Sequence, residues 1–71
     1  MFIYLNQLNS EKPICIDVNN VALFHPETIE LESGQEKTGT LITLYRGEQW
    51  IVRQSCYDVH IMCQAAKRGE L

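Results

Sequence analysis

The sequence predicts a small α+β domain. It should be a twisted, mostly antiparallel sheet of about five strands with one C-terminal helix packed on it. Three observations carry this. Leu41-Ile42-Thr43-Leu44-Tyr45 and Gln49-Trp50-Ile51-Val52-Arg53 flank Arg46-Gly47-Glu48, two β-branched and aromatic runs around a short Gly-containing turn. Ser55 follows as an N-cap, and Tyr57 to Lys67 has helical spacing. The earlier half alternates apolar and polar residues with period two.

Phe2 to Leu8 reads as the first strand. Phe2, Ile3, Tyr4 and Leu5 put apolar groups on both parities, which predicts burial on both faces at its start. Asn9-Ser10-Glu11-Lys12 is a turn. Pro13 opens the second strand, with Ile14, Ile16 and Val18 towards the core, and Asn19-Asn20 breaks it. Val21 to His25 is a short third strand that His25-Pro26 should end, since Pro26 cannot donate to a ladder. Thr28 to Glu32 alternates again, as a sheet extension or an excursion. Ser33 to Lys37 is a polar loop with Gly34 at its tip.

A two-residue turn at Arg46-Gly47 would pair Tyr45 with Glu48, Thr43 with Trp50 and Leu41 with Val52. Ile42, Ile51 and Leu44 would then lie on the other face, so both faces of the hairpin carry apolar groups. A second cover is implied for one face, either another strand or another copy of the chain. In the helix, about 55–68, Asp58 at N3 and Lys67 with Arg68 at the far end complement the dipole, and Gly69 suits the stop. Cys56, Val59, Cys63 and Ala66 form the sheet-facing stripe, widened by Met62. The expected core is Ile3, Leu5, Ile14, Ile16, Val21, Leu23, Ile42, Leu44, Ile51, Val52, Val59, Met62 and Cys63.

At 71 residues with a net charge of -3, the chain reads as one domain, 1–71, with a marginal core. The acidic balance argues against a general polyanion binder, because phosphate contacts need clustered Lys and Arg. Three cysteines cannot all pair within one chain. With no signal-peptide pattern, they are expected to be free thiols in a reducing cytoplasm. No run approaches the ~20 apolar residues of a membrane-spanning helix.

The candidate chemistry is thin. Cys56, His60 and Cys63 stand at i, i+4 and i+7, but the two cysteines lie ~10 Å apart along a helix. One zinc would need both sulfurs at ~2.3 Å. A thiol nucleophile needs a neighbouring base and a third orienting group, and the pattern supplies neither. Singly scattered glycines form no phosphate-cradling loop, and Glu27, Glu30, Glu32 and Glu36 lack metal-loop spacing. The reading is therefore non-enzymatic, with no cofactor, metal or catalytic residue. A protein-binding patch is expected at Tyr45, Arg46, Glu48, Trp50 and Arg53, an aromatic centre with a charged rim. A homo-oligomer through a sheet face or edge is also expected.

Three stretches resemble the small flagellar-associated FlbD/SwrD-like proteins. They are Leu8-Asn9 with its turn leading into Pro13-Ile14-Cys15-Ile16; Asn19-Asn20-Val21-Ala22-Leu23-Phe24 with Pro26-Glu27; and Leu41 through Ser55 followed by Asp58-Val59. The third is similar to that family's "ITL-x-x-G-x-x-x-x-V-x-x-S" hairpin. Ser10 stands where the family turn has Gly, Thr28 to Lys37 looks inserted, and the basic tail is missing. The resemblance implies a small cytoplasmic protein-binding regulator, flagellar or phage-encoded. The hairpin-plus-helix order is also similar to the LytTR DNA-binding domain. That likeness implies the alternative of a small transcriptional regulator with Arg46, Arg53, Lys67 and Arg68 on phosphates.

Overall fold

The computed structural model describes residues 1–69. Five strands and one α-helix build the α+β architecture, but the strands form two sheets rather than one. β1 (Phe2–Asn6) pairs antiparallel with β2 (Pro13–Asp17). A 3-10 turn over Val18–Asn20 leads into the second sheet, ordered β3-β4-β5, with β3 at Val21–Glu30, β4 at Glu36–Leu44 and β5 at Gln49–Val52. α1 (Cys56–Lys67) closes the fold.

Backbone hydrogen bonds join the two sheets along one seam. Gln7 bridges Val52, Leu8 N–H donates to the Ile51 carbonyl, and Arg53 N–H donates to the Asn6 carbonyl, both at 2.9 Å. Asn6 and Gln54 reinforce the seam. Asn6 N–H donates to Gln54 Oε1, and Gln54 Nε2 donates to Asn6 Oδ1, each at 3.1 Å. The first strand is thereby tied to the start of the helix.

β1 alternates cleanly instead of being buried on both faces. Ile3 and Leu5 are buried while Phe2 and Tyr4 are exposed. It also stops at Asn6: Gln7 bridges Val52 of β5 while still bonding the Lys12 carbonyl, and Leu8 donates to Ile51 and is buried.

β3 does not end at Pro26. Leu31 N–H bonds the Gln35 carbonyl at 2.8 Å, which fixes the phase of the β3–β4 ladder. Pro26 opposite Thr40 then falls in a pair without ladder bonds, so its nitrogen points to the free edge and no donor is lost. Thr28 to Glu30 therefore extends the strand, and Thr28 and Thr38 hydroxyls meet across it at 2.9 Å.

The β4–β5 register is one residue from that expected of a two-residue turn: Ile42 pairs Trp50 and Leu41 pairs Ile51. The loop has three residues, Tyr45-Arg46-Gly47, with Gly47 at φ +95° and its N–H on the Leu44 carbonyl. That is a type I turn closed by a left-handed residue, the usual three-residue hairpin. Glu32-Ser33-Gly34 repeats it, with Gly34 at φ +85°. The shift sends Trp50 to the same face as Ile42.

Ser55 Oγ accepts the Asp58 N–H at 3.1 Å, so the cap forms as expected. Gly69 stops the helix at φ +73°. The core holds Ile3, Leu5, Ile16, Val18, Ile42, Leu44, Val52, Val59, Cys63 and Ala66. Ile14, Val21 and Met62 pack at its margin, Ile51 is half-buried, and Leu23 is exposed because it shares a face with Thr43 rather than Ile42. Thr40 is the one fully buried polar side chain among the described residues, and its hydroxyl donates to the Gln54 carbonyl at 2.7 Å.

Candidate interaction surfaces

The β4–β5 turn carries the first surface. Gly47 closes the three-residue loop at positive φ, and Tyr45 at its start is 73% exposed. Arg46 Nη2 donates to Glu48 Oε1 at 2.8 Å across the turn. Both are well exposed, so this pair is worth at most about 1 kcal/mol. Its effect is to hold the two head groups side by side beside the aromatic ring.

Two clefts flank that turn. On one side Arg46, Glu48 and Trp50 line a cleft of about 360 Å³ with Ile14 and Cys15 of β2. On the other, Tyr45 borders a groove with Leu23 and Phe24 of β3 and His60 and Lys67 of α1. The structure thus brings four of the five expected partner-binding residues around one turn. Arg53 stands apart, at the other end of β5, where its Nη2 donates to Asn6 Oδ1 at 3.4 Å. Trp50 is half-buried and packs against the core, so its exposed edge alone belongs to the surface.

Arg46 lines the β2 cleft, Lys67 the groove beyond Tyr45, and Arg53 the seam near Asn6.

A second surface escaped the sequence reading. Phe2 and Tyr4 on β1, and Tyr57 and Ile61 on α1, are exposed apolar side chains. Met62 lies between the pairs and lines both the groove with Phe2 and Tyr4 and the one with Tyr57 and Ile61. Two signals were available for it. Phe2 and Tyr4 alternate with the buried Ile3 and Leu5, and Tyr57 and Ile61 share the i, i+4 spacing of a stripe outside Val59-Cys63-Ala66.

The cysteines do not gather. Cys15 is exposed, Cys56 is half-buried 3.4 Å from the Thr40 hydroxyl, and Cys63 is buried. Burial pushes the Cys63 thiol up, and nearby Lys67 opposes this weakly. His60 is exposed. Among the described residues no group of three or more His, Cys, Asp or Glu is placed to hold a metal ion. None of their helices is long and apolar enough to cross a membrane.

Comparison with family models, with curated proteins and with solved structures finds no match to this chain.

Proposed function

We propose that this protein is a small non-enzymatic, protein-binding regulator that engages its partner through the β4–β5 turn. The observation that carries the reading is Tyr45. It is a large aromatic ring held 73% exposed on a tight three-residue loop, between two clefts and beside the Arg46–Glu48 pair. Interface hot spots have this composition: an aromatic anchor on a preorganised element, with charged neighbours that set register. Tyr45 is the anchor, Arg46 and Glu48 form the rim, and the accessible edge of Trp50 forms the cleft floor. Arg53 contributes only if the partner reaches around to the seam. The likeness to FlbD/SwrD-like proteins supports a cytoplasmic setting, flagellar or phage-encoded.

The test is a pull-down from the source organism at two salt concentrations, with and without nuclease. It compares the wild type with Tyr45→Ala and Arg46→Glu. A protein partner retained through nuclease and moderate salt, and lost with Tyr45→Ala while the fold persists, is the expected result. Recovery that depends on nucleic acid and falls steeply with salt would replace this reading with the LytTR-like DNA-binding one.

A further inference from the structure

The free edge of β1 is built for a strand that the described residues do not supply. Val18 N–H bonds the Met1 carbonyl and Gln7 N–H bonds the Lys12 carbonyl, each at 2.9 Å. These bonds fix the phase of the β1–β2 ladder: Ile3 and Leu5 face β2 with their backbone groups, while Phe2, Tyr4 and Asn6 point theirs to the opposite edge. At Asn6 that edge is filled by Arg53 and Gln54. Along Phe2 and Tyr4 no strand of the described residues lies there. Two N–H and two C=O groups therefore face outward in extended geometry.

Of the other three outer edges, β2 and β3 carry a proline at an outward-pointing position, Pro13 and Pro26, and the short β5 is met by Asn6 to Leu8. Proline blocks strand addition. β1 has no such guard, and its exposed side chains are Phe2 and Tyr4, 57% and 72% exposed.

We infer that this edge pairs with β1 of a second copy, antiparallel about a two-fold axis at Ile3. Phe2 would exchange both backbone bonds with the partner's Tyr4, and Tyr4 with the partner's Phe2, making four hydrogen bonds. The alternative register, centred on Tyr4, would require the Asn6 groups that Gln54 and Arg53 already occupy. The Ile3-centred register is the one that uses every free group. It joins two β1–β2 hairpins into a four-stranded sheet and stacks Phe2 and Tyr4 on one face. Met62, Ile61 and Tyr57 flank the joint from α1.

The area reaches the lower end of what a stable dimer uses. Aromatic side chains cover roughly 150–250 Å² each. With Phe2, Tyr4 and Tyr57 mostly exposed, and Met1 and Ile61 beside them, each copy has about 600 Å² of apolar surface to bury. A standard interface uses roughly 800 Å² per partner. The inference does not rest on the Tyr45 surface, so either can fail alone.

The experiment is sedimentation equilibrium of the 71-residue chain, 8.2 kDa, between micromolar and hundreds of micromolar. It compares the wild type with Tyr4→Pro and Phe2→Lys, and circular dichroism confirms each fold. Tyr4→Pro copies the guard that β2 and β3 already carry and removes no bond made within the chain. Phe2→Lys leaves the backbone intact and covers the case in which proline disturbs β1. The expected result is a concentration-dependent dimer for the wild type, weakened on the order of 100-fold in each folded variant. A wild type that stays at 8.2 kDa, or dimers that survive both substitutions unchanged, would overturn the inference.

Discussion

Gly39→Ala tests the junction on which the two sheets depend. Gly39 is buried beside the last pair of β5, Thr40 with Val52. A methyl group there would sit inside the contact distance of the Val52 carbonyl oxygen, 3.1 Å from its carbon and 3.2 Å from Leu8 Cδ2. Leu8 can yield, but the Val52 carbonyl is backbone and β5 must move. Overpacking of this kind costs about 1–3 kcal/mol. Moving β5 also strains the bonds from Leu8 to Ile51 and from Arg53 to Asn6, each worth roughly 1 kcal/mol net. The sum is about 3–5 kcal/mol. At roughly 0.05–0.15 kcal/mol per residue, a 71-residue chain has about 4–11 kcal/mol in total. Gly39→Ala should therefore lose much of its stability in urea unfolding followed by Trp50 fluorescence. Gly34→Ala is the control: it sits at φ +85° in open space, so it carries backbone strain without a clash. A Gly39→Ala cost below about 1 kcal/mol, or one no larger than the control, would refute the steric argument.

Four further outcomes follow from the geometry. Glu11 holds φ +59° without a glycine's freedom, a conformation that costs about 1–2 kcal/mol. Glu11→Gly should gain about 0.5–1 kcal/mol after the added chain entropy, read as a higher thermal midpoint, and an unchanged or lower midpoint counts against it. Thr40→Val removes the hydroxyl that satisfies the Gln54 carbonyl and should cost about 1–3 kcal/mol; a neutral result in urea would mean that the carbonyl finds water. Glu30 and Glu36 face each other at the end of the β3–β4 ladder, so Glu30→Lys should stabilise by about 0.2–1 kcal/mol at low salt, and a gain that persists in 1 M salt is not electrostatic. Because burial raises the Cys63 thiol, the unfolded chain loses that proton first as pH rises. Stability should hold below about pH 9 and fall above it, with a shallower fall in Cys63→Ala; equal slopes would assign the loss to other groups.

The helix was legible down to its caps, because Ser55, Asp58 and Gly69 act locally and the Val59-Cys63-Ala66 stripe has one period. The existence of the β4–β5 hairpin was legible too. Its register was not, since a Gly at the second or the third loop position gives similar sequences but opposite pairings. Gly47 chose the third. Pro26 misled for a related reason: whether its nitrogen meets a neighbour depends on ladder phase, which Leu31 and Gln35 set several residues away. Thr40 escaped the core because its partner, the Gln54 carbonyl, is a tertiary contact. Tyr45, Arg46, Glu48 and Trp50 gather because a turn joins them in sequence, whereas the surface of Phe2 and Tyr57 joins residues that only folding brings together.

The seam between Asn6 and Gln54 spans 48 positions, and it dictates an order of events during synthesis. The β3–β4–β5 meander can pair as it emerges, strand by strand. The first strand cannot finish its work then, because the residues that cover Ile3 and Leu5 include Val59 and Cys63 near the end. A ribosome adding about 5–20 residues per second leaves that hairpin waiting for seconds. Throughout the wait its inward face, Ile3, Leu5 and Ile16, is as bare as its outward one. β1 and β2, made before the other strands of the fold, are thus the last to find shelter, and chaperone contact should fall there.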